Sequence, residues 1–299
     1  MLRKIIYLIN PISGTRGKEL LLKMIEQKTQ AANIAFEILP TNAKGDYSFL
    51  QEKISKEQIT DIVICGGDGS VNQVANALIN IPVTIGIIPM GSGNGLAFAA
   101  KIPKSAAKAL DIIFTGKAAY IDSLFINGRL SCMLCGVGFD AQVAQDFAKQ
   151  SKRGLLTYIQ QSWKNFIKAT PYTFEITNHE THFKADAYFI SIANGNQFGN
   201  NFTIAPKASL NDGLLDIVVV KQMSKIKMVG ALLKHVFAGE IDYYKNSNFH
   251  KKDILYFQTD KLTIINPSKA PLHIDGDPAV TAELLTIEII PNAFRLLQP

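Results

Sequence analysis

The sequence has no apolar run near the roughly 20 residues that a membrane-spanning helix requires, which excludes a helical span. It has only three cysteines, Cys65, Cys132 and Cys135. An odd, sparse set cannot form a disulfide framework and fits a reducing compartment. Cys132 and Cys135 are spaced C-x-x-C, but no second pair accompanies them, so ordinary core cysteines are expected rather than a zinc site. Low-complexity blocks, heptad seams, internal repeats and Pro/Gly/Ser linkers are also missing, which excludes fibrous and disordered classes. The lysines and arginines, among them Lys149, Lys152, Arg153, Lys164 and Lys168, lack the aromatic and glycine spacing of an RNA-recognition module, so no nucleic acid partner is expected. The opening Leu2-Arg3-Lys4 and the apolar Ile5 to Ile9 are too short for a signal peptide and end at Asn10-Pro11; a first β-strand is expected there.

What is present is length and apolar content. With 299 residues, 47% of them hydrophobic, the chain can bury two cores, and two domains are the expectation. Its formal charge of +6 suits an anionic partner such as a nucleotide or an anionic membrane surface, and is equally met by a generally basic soluble surface.

The first 120 residues alternate short, unbroken apolar runs with helical stripes, the pattern of a parallel sheet covered on both faces. Strands are expected at Lys4 to Ile9, Ile34 to Leu39, Asp61 to Cys65 and Thr84 to Ile88. Helices are expected at Lys18 to Ala31, Tyr47 to Lys56, Ser70 to Asn80 and Ser105 to Thr115. After Gly116 the texture changes. Asn127-Gly128 between Ile121 to Ile126 and Leu130 to Cys135 predicts a two-residue hairpin. Further strands are expected at Tyr172 to Thr177, Phe183 to Ile192, Leu214 to Lys221, Lys261 to Ile265 and Leu285 to Ile290. Helical insertions are expected near Gln142 to Gln150, Gly154 to Lys168 and Lys225 to Ala238. The expected division is 1–122, an α/β nucleotide-binding domain to which the tail about 291–299 is free to return, and 123–290, a mostly antiparallel β domain.

Ligands of open α/β sheets sit beyond the carboxyl ends of the strands, and three loops there are unusual. Gly66-Gly67-Asp68-Gly69 follows a strand and opens a helix at Ser70. Its glycines let main-chain N–H groups approach phosphate oxygens, and the helix N-terminus adds about half a positive charge. Asp68 among such donors suggests a magnesium ion between it and phosphate; a plain tight turn with Asp68 as a cap is the competing reading. Gly91-Ser92-Gly93-Asn94-Gly95 follows the next strand, where Ser92 and Asn94 could donate to phosphate or cap the helix near Leu96. Neither loop is a dinucleotide fingerprint, and Gly14-Thr15-Arg16-Gly17-Lys18 continues with Glu19 where a Walker loop needs Ser or Thr.

Ile9-Asn10-Pro11 with Ser13-Gly14, then Gly66-Gly67-Asp68-Gly69-Ser70-Val71-Asn72, then Gly91-Ser92-Gly93-Asn94, resemble the nucleotide-binding loops of the diacylglycerol kinase and sphingosine kinase catalytic superfamily. The resemblance continues through Gly136-Val137-Gly138-Phe139-Asp140-Ala141, Asn211-Asp212-Gly213-Leu214-Leu215-Asp216 and Asp275-Gly276-Asp277-Pro278, in family order along nearly the whole chain.

The resemblance implies an α/β plus all-β protein: an N-terminal NAD-kinase-like, Rossmann-type domain, a C-terminal antiparallel β-sandwich, and an active site in the interdomain cleft. It implies an ATP-dependent lipid kinase using Mg2+, acting on a diacylglycerol-like or sphingoid-like hydroxyl, cytoplasmic and peripheral at the inner face of the membrane where its lipid is met; a homodimer is left open. By similarity, Asn10, Pro11, Ser13, Gly14, Thr41, Gly66, Gly67, Asp68, Gly69, Ser70, Asn72, Gly91, Ser92, Gly93 and Asn94 would contact the nucleotide. Asp68 would organise magnesium and phosphate through water. A structural magnesium would map onto Ser209, Asp212 and the Leu214 carbonyl, in a segment that otherwise reads as a turn. The hairpin turn at Asp275 would carry the base that accepts the hydroxyl proton. The family has Glu where this chain has Asp277, one methylene shorter, which leaves Asp277 or Asp275 as the base. Asp140 is expected either to face a lipid head group or to cap a helix before Ala141. Two other classes share part of the pattern: NAD kinases, whose second Asn-Glu signature finds no match here, and a noncatalytic nucleotide- or lipid-binding relative.

Overall fold

A computed structural model of the chain describes residues 2–10, 18–42, 44–150, 155–196, 205–228, 230 and 253–299. The chain divides into two compact units, Met1–Asp122 with Pro291–Pro299, and Ser123–Ile290. Both boundaries fall inside strands, β5 (Lys117–Ile126) and β15 (Leu284–Gln298).

The first unit is built on strands β1 (Lys4–Ile9), β2 (Ala35–Pro40), β3 (Asp61–Gly66) and β4 (Thr84–Pro89), in the parallel order β2-β1-β3-β4. The end of β15 adds a further parallel strand, with Arg295 beside Thr84 and Leu296 beside Ile85. Helices α1 (Lys18–Ala31), α2 (Phe49–Glu57), α3 (Asp68–Leu78), α4 (Gly95–Ala99) and α5 (Ala106–Thr115) fill the connections. Every residue of β3 and β4 is buried, because α3 packs on β3 and α5 on β4. A strand covered on both faces has no solvent side to mark with polar residues, which is why Ile62-Val63-Ile64-Cys65 runs unbroken. At the foot of β3, Asp61 receives both Arg3 Nε at 2.9 Å and an Arg3 terminal nitrogen at 2.7 Å. This bidentate pair fixes where the sheet starts, and so where its carboxyl ends lie.

The second unit is antiparallel. Strands β7 (Leu134–Gly138), β8 (Tyr172–Thr177), β9 (His182–Ala193), β12 (Lys261–Ile265), β13 (Leu272–Ile274) and β14 (Asp277–Ala279) follow the order β14-β13-β7-β9-β8-β12-β15. On the other side of β9 lies β10 (Leu215–Lys221), which carries β11 (Ile254–Thr259). The two halves of β9 show how cover dictates sequence. Residues 182–187 alternate exposed and buried, whereas Tyr188 to Ala193 are all buried. The core joins Cys135, Val137, Phe174, Ile176, Ile190, Ile192, Ile217, Leu262 and Ile287 with their neighbours. Helices α6 (Phe139–Ala148) and α7 (Leu155–Lys168) interrupt the strands and pack on each other.

Two expectations need correction. The hairpin after Asn127-Gly128 forms, with both turn residues at positive φ (48° and 77°), but its second strand stops early. β6 spans only Arg129–Ser131, and β7 begins afresh at Leu134, because a carboxylate from another hairpin captures the intervening N–H groups. Strand β11 was not expected at all, and α6 begins at Phe139 rather than Gln142. Most of the helix expected from Lys225 to Ala238 lies outside the described residues. All three cysteines are buried, and burial pushes the Cys65 and Cys135 thiols well above the usual range.

Candidate functional site

In the first unit the strand exits β1, β3 and β4 are tied together. The Asn10 N–H donates to the Cys65 carbonyl (3.1 Å), and the Met90 N–H donates to the Gly66 carbonyl (2.9 Å), extending both ladders into the loops. The Thr41 N–H reaches the Ile9 carbonyl at 3.0 Å, holding the β2 exit to the same edge. Asn10 Nδ2 donates to Ser70 Oγ at 3.1 Å, which fastens the end of β1 to the first turn of α3. Pro11, Ser13 and Gly14 lie outside the described residues.

The two glycine loops interlock. A Cβ on Gly67 would stand 3.0 Å from the Gly91 Cα, and one on Gly91 would stand 2.6 Å from the Gly67 Cα. Backbone therefore lies against backbone, and any side chain at either position would force the loops apart. Asp68 completes the arrangement: a Cβ on Gly93 would come within 2.8 Å of its Oδ2, so the carboxylate occupies the space that Gly93 leaves. Helix α3 opens at Asp68 behind an extended Gly67 (φ −100°, ψ −174°) that can offer no side-chain cap. Its first N–H groups lack the intrahelical partners that later ones have, and so form an anion-facing end.

Asn94 braces its own loop rather than capping α4. It is buried at 3% exposure and sits in the left-handed region at φ 53°. Its Oδ1 accepts the Gly91 N–H (2.8 Å) and its Nδ2 donates to the Gly91 carbonyl (2.7 Å). The side chain thus closes the loop on itself and makes no cap to α4. Ser92 is exposed at the loop tip, and Gly69, Ser70 and Asn72 are half-buried in the first turns of α3.

In the second unit, Asp275 and Gly276 form the turn of the β13–β14 hairpin at φ 49° and 84°, the doubly left-handed conformation that Asp-Gly favours. Asp275 Oδ1 accepts from Ser131 Oγ (2.6 Å), the Met133 N–H (3.0 Å) and the Leu134 N–H (3.1 Å), and Oδ2 accepts the Cys132 N–H (2.9 Å). Four donors already occupy this carboxylate, which makes Asp275 the clamp that ends β6. Asp277, two residues on at the start of β14, is exposed.

The expected magnesium ligands form a small polar loop. Ser209 Oγ donates to Asn211 Oδ1 (2.9 Å), and the Leu214 N–H donates to Asp212 Oδ1 (3.1 Å). Hydroxyl, carboxylate and main-chain carbonyl suit a hard cation, although no cluster of three or more His, Cys, Asp or Glu side chains occurs among the described residues. Nearby Asp216 is fully buried. Burial, with the Asp212 charge adding to it, pushes its carboxyl up to about 7 against the opposing Gln258 hydrogen bond. Tyr256 Oη donates to Asp216 Oδ1.

Asp140 neither faces outward nor occupies the cap position. It is the second residue of α6, 7% exposed, and its Oδ1 accepts the Ala141 N–H (2.8 Å) while Oδ2 meets His273 Nε2 at 3.3 Å. Sequence reading passed over His273. The available signal was a histidine inside a short apolar strand, two residues before an Asp-Gly turn.

Residues 4–126 match the model of the diacylglycerol kinase catalytic domain, and residues 134–298 match that of the YegS C-terminal NAD kinase beta sandwich-like domain. A "Probable lipid kinase YegS-like" of Enterobacter sp. (strain 638) is 28% identical over 291 residues, covering 95% of this chain and 92% of its own. One of the same description from Shewanella frigidimarina is 29% identical over 258 residues, covering 84% and 80%. A crystal structure described as a diacylglycerol kinase from Bacillus anthracis str. Sterne has the same fold, with a TM-score of 0.76 at 22% identity, covering 99% of this chain and 97% of that one. The chain belongs to the family of the YegS C-terminal NAD kinase beta sandwich-like domain, and the part ahead of that domain matches the diacylglycerol kinase catalytic domain.

Proposed function

We propose that the protein is an ATP-dependent lipid kinase that moves the γ-phosphoryl group to a lipid hydroxyl with Mg2+. The observation that carries this reading is the contact of Gly67 with Gly91, with the Asp68 carboxylate lying over Gly93 at the opening of α3. Main-chain donors bare of side chains suit a polyphosphate, and one carboxylate among them suits a cation that bridges it to phosphate. Bound magnesium would neutralise charge on the phosphoryl oxygens. In the reaction, the bond from the γ-phosphorus to the bridging oxygen of ADP breaks and a bond to the lipid oxygen forms. The hydroxyl proton passes to the Asp277 carboxylate, since Asp275 is engaged by four donors. Ser209, Asp212 and the Leu214 carbonyl would hold a second, structural magnesium.

A membrane substrate also has support in the second unit. Trp163 and Ile167, four residues apart on α7, are 62% and 59% exposed, and Ile226 is 90% exposed. Lys225 Nζ donates to the Ile167 carbonyl, bringing the two segments together. Lys164, Lys168 and Lys227 are exposed among these apolar groups. Apolar side chains to enter the interface and lysines for anionic head groups suit peripheral attachment to the inner face of a membrane. No helix among the described residues is long and apolar enough to cross one.

The test is transfer of labelled phosphate from ATP to a mixed lipid extract. A labelled lipid, diacylglycerol-like or sphingoid-like, supports the reading and identifies the acceptor. Labelled NADP from added NAD would replace it with a nucleotide kinase. Binding without turnover, the outcome that the shorter Asp277 would favour, would make the protein a noncatalytic relative.

A further inference from the structure

His273 and Asp140 form a buried polar pair of the second unit that the proposed reaction leaves unused. His273 is wholly buried, and its Nε2 lies 3.3 Å from Asp140 Oδ2. Its other nitrogen, Nδ1, accepts the Gly276 N–H at 3.2 Å. A ring nitrogen that accepts a hydrogen bond carries no proton, so these partners assign the ring proton to Nε2, facing Asp140.

The sequence reserves space for the pair. His273 stands beside Gly136 on the neighbouring strand, and a Cβ on Gly136 would lie 2.0 Å from Asp140 Oδ2 and 2.6 Å from His273 Nε2. Even a methyl group there would expel one partner. Helix α6, which carries Asp140, packs on both strands of the hairpin.

The geometry points to a positioning role: we propose that Asp140 and His273 set the place of the Asp277 carboxylate by fixing the Gly276 peptide. The inference rests on the reading of Asp277 as proton acceptor. The turn is held on both flanks, Asp275 by the four donors of 131–134 and Gly276 by His273, with Asp140 orienting the imidazole from behind. Aspartate has one torsion fewer than glutamate with which to correct a displaced backbone. A chain with Asp277 in place of the family Glu therefore depends more heavily on where Gly276 sits, and about 1 Å of misplacement costs roughly a hundredfold in rate.

Three arms test this. First, His273→Leu, which fills the volume without either hydrogen bond, should lower kcat about ten- to a hundredfold and leave the KM for ATP within about twofold. His273→Asn, whose Oδ1 can take the place of Nδ1 toward Gly276, should recover most of the loss. Second, in an Asp277→Asn background His273→Leu should cost less than about twofold more, because the group it positions is already disabled. An equal loss in both backgrounds shows a merely structural residue and overturns the proposal. Third, amide exchange at Gly276 should quicken about tenfold or more in His273→Leu; unchanged exchange overturns the anchoring itself. If His273→Leu does not fold, Asp140→Asn, which keeps the shape and removes the charge, enters the same comparison. A parent protein that transfers no phosphate defeats the functional reading, and the exchange arm then decides the anchoring alone.

Discussion

Around Gly67 and Gly91 the chain withholds side chains, so that backbone meets backbone, whereas around Asp275 and His273 it crowds polar side chains into a seam of donors and acceptors. The first region presents main-chain N–H groups, which every substitution but proline leaves in place; it is damaged by obstruction, by loss of the one charge within it, or by loss of the side chain of Asn94 that braces Gly91. The second is assembled from side chains recruited from β6, α6 and β13, so deleting one partner strands the others. The contrast predicts which measurement each mutation will move. Changes in the glycine loops should register in nucleotide handling, and changes in the acidic turn should divide between rate and stability according to the residue removed.

The largest effect is expected at Asp68. Asp68 is half-buried in the first turn of α3, beside the extended Gly67 that stands at the cap position, and Asp68→Ala should reduce turnover by about a thousandfold or more and leave the thermal midpoint close to the parent. Unaltered turnover would refute its role with magnesium and phosphate. Next stands Asp277. Asp277→Asn keeps shape but cannot take a proton, and should cost about 10²–10⁴ in kcat; Asp277→Glu should keep or raise the rate. Equal rates for the three proteins would make this carboxylate a bystander. Asp275→Ala should reverse the pattern, costing about 2–4 kcal/mol of stability in urea denaturation, because Ser131 Oγ and three main-chain N–H groups lose their acceptor. A variant of full stability with its rate lost would exchange the roles of the two aspartates.

What sequence could reveal follows from the same contrast. Strands β1, β3 and β4 were legible because cover on both faces demands unbroken apolar runs, and the glycine loops were legible because few residues tolerate such turns. The contact of Gly67 with Gly91 was not, since it depends on how two strand exits are spaced in the sheet. Nor was the division of labour between Asp275 and Asp277. Both appear in one Asp-Gly-Asp string, and only the arrival of residues 131–134 makes the first a clamp. That arrival also broke the strand expected from Leu130 to Cys135, a tertiary demand overriding a local pattern. Asp140 was visible as a polar residue after a glycine-rich strand, but its partner His273 lies far along the chain, where no local spacing marks it.

Asn94 is where the comparison can be sharpened most finely, because here the glycine region borrows the method of the acidic one. It is a buried side chain whose two hydrogen bonds both go to Gly91, and it also needs a left-handed backbone. These demands can be separated. Asn94→Gly keeps the backbone conformation and removes only the brace, so the KM for ATP should rise about three- to tenfold, the worth of one hydrogen bond or two, with kcat nearly unchanged. Asn94→Ala removes the brace and adds about 1–2 kcal/mol of left-handed strain, so it should also lower the thermal midpoint, which Asn94→Gly should lower less. If both variants keep the parent KM, the loop's shape comes from the contact of Gly67 with Gly91 alone, and the first region is a main-chain device throughout.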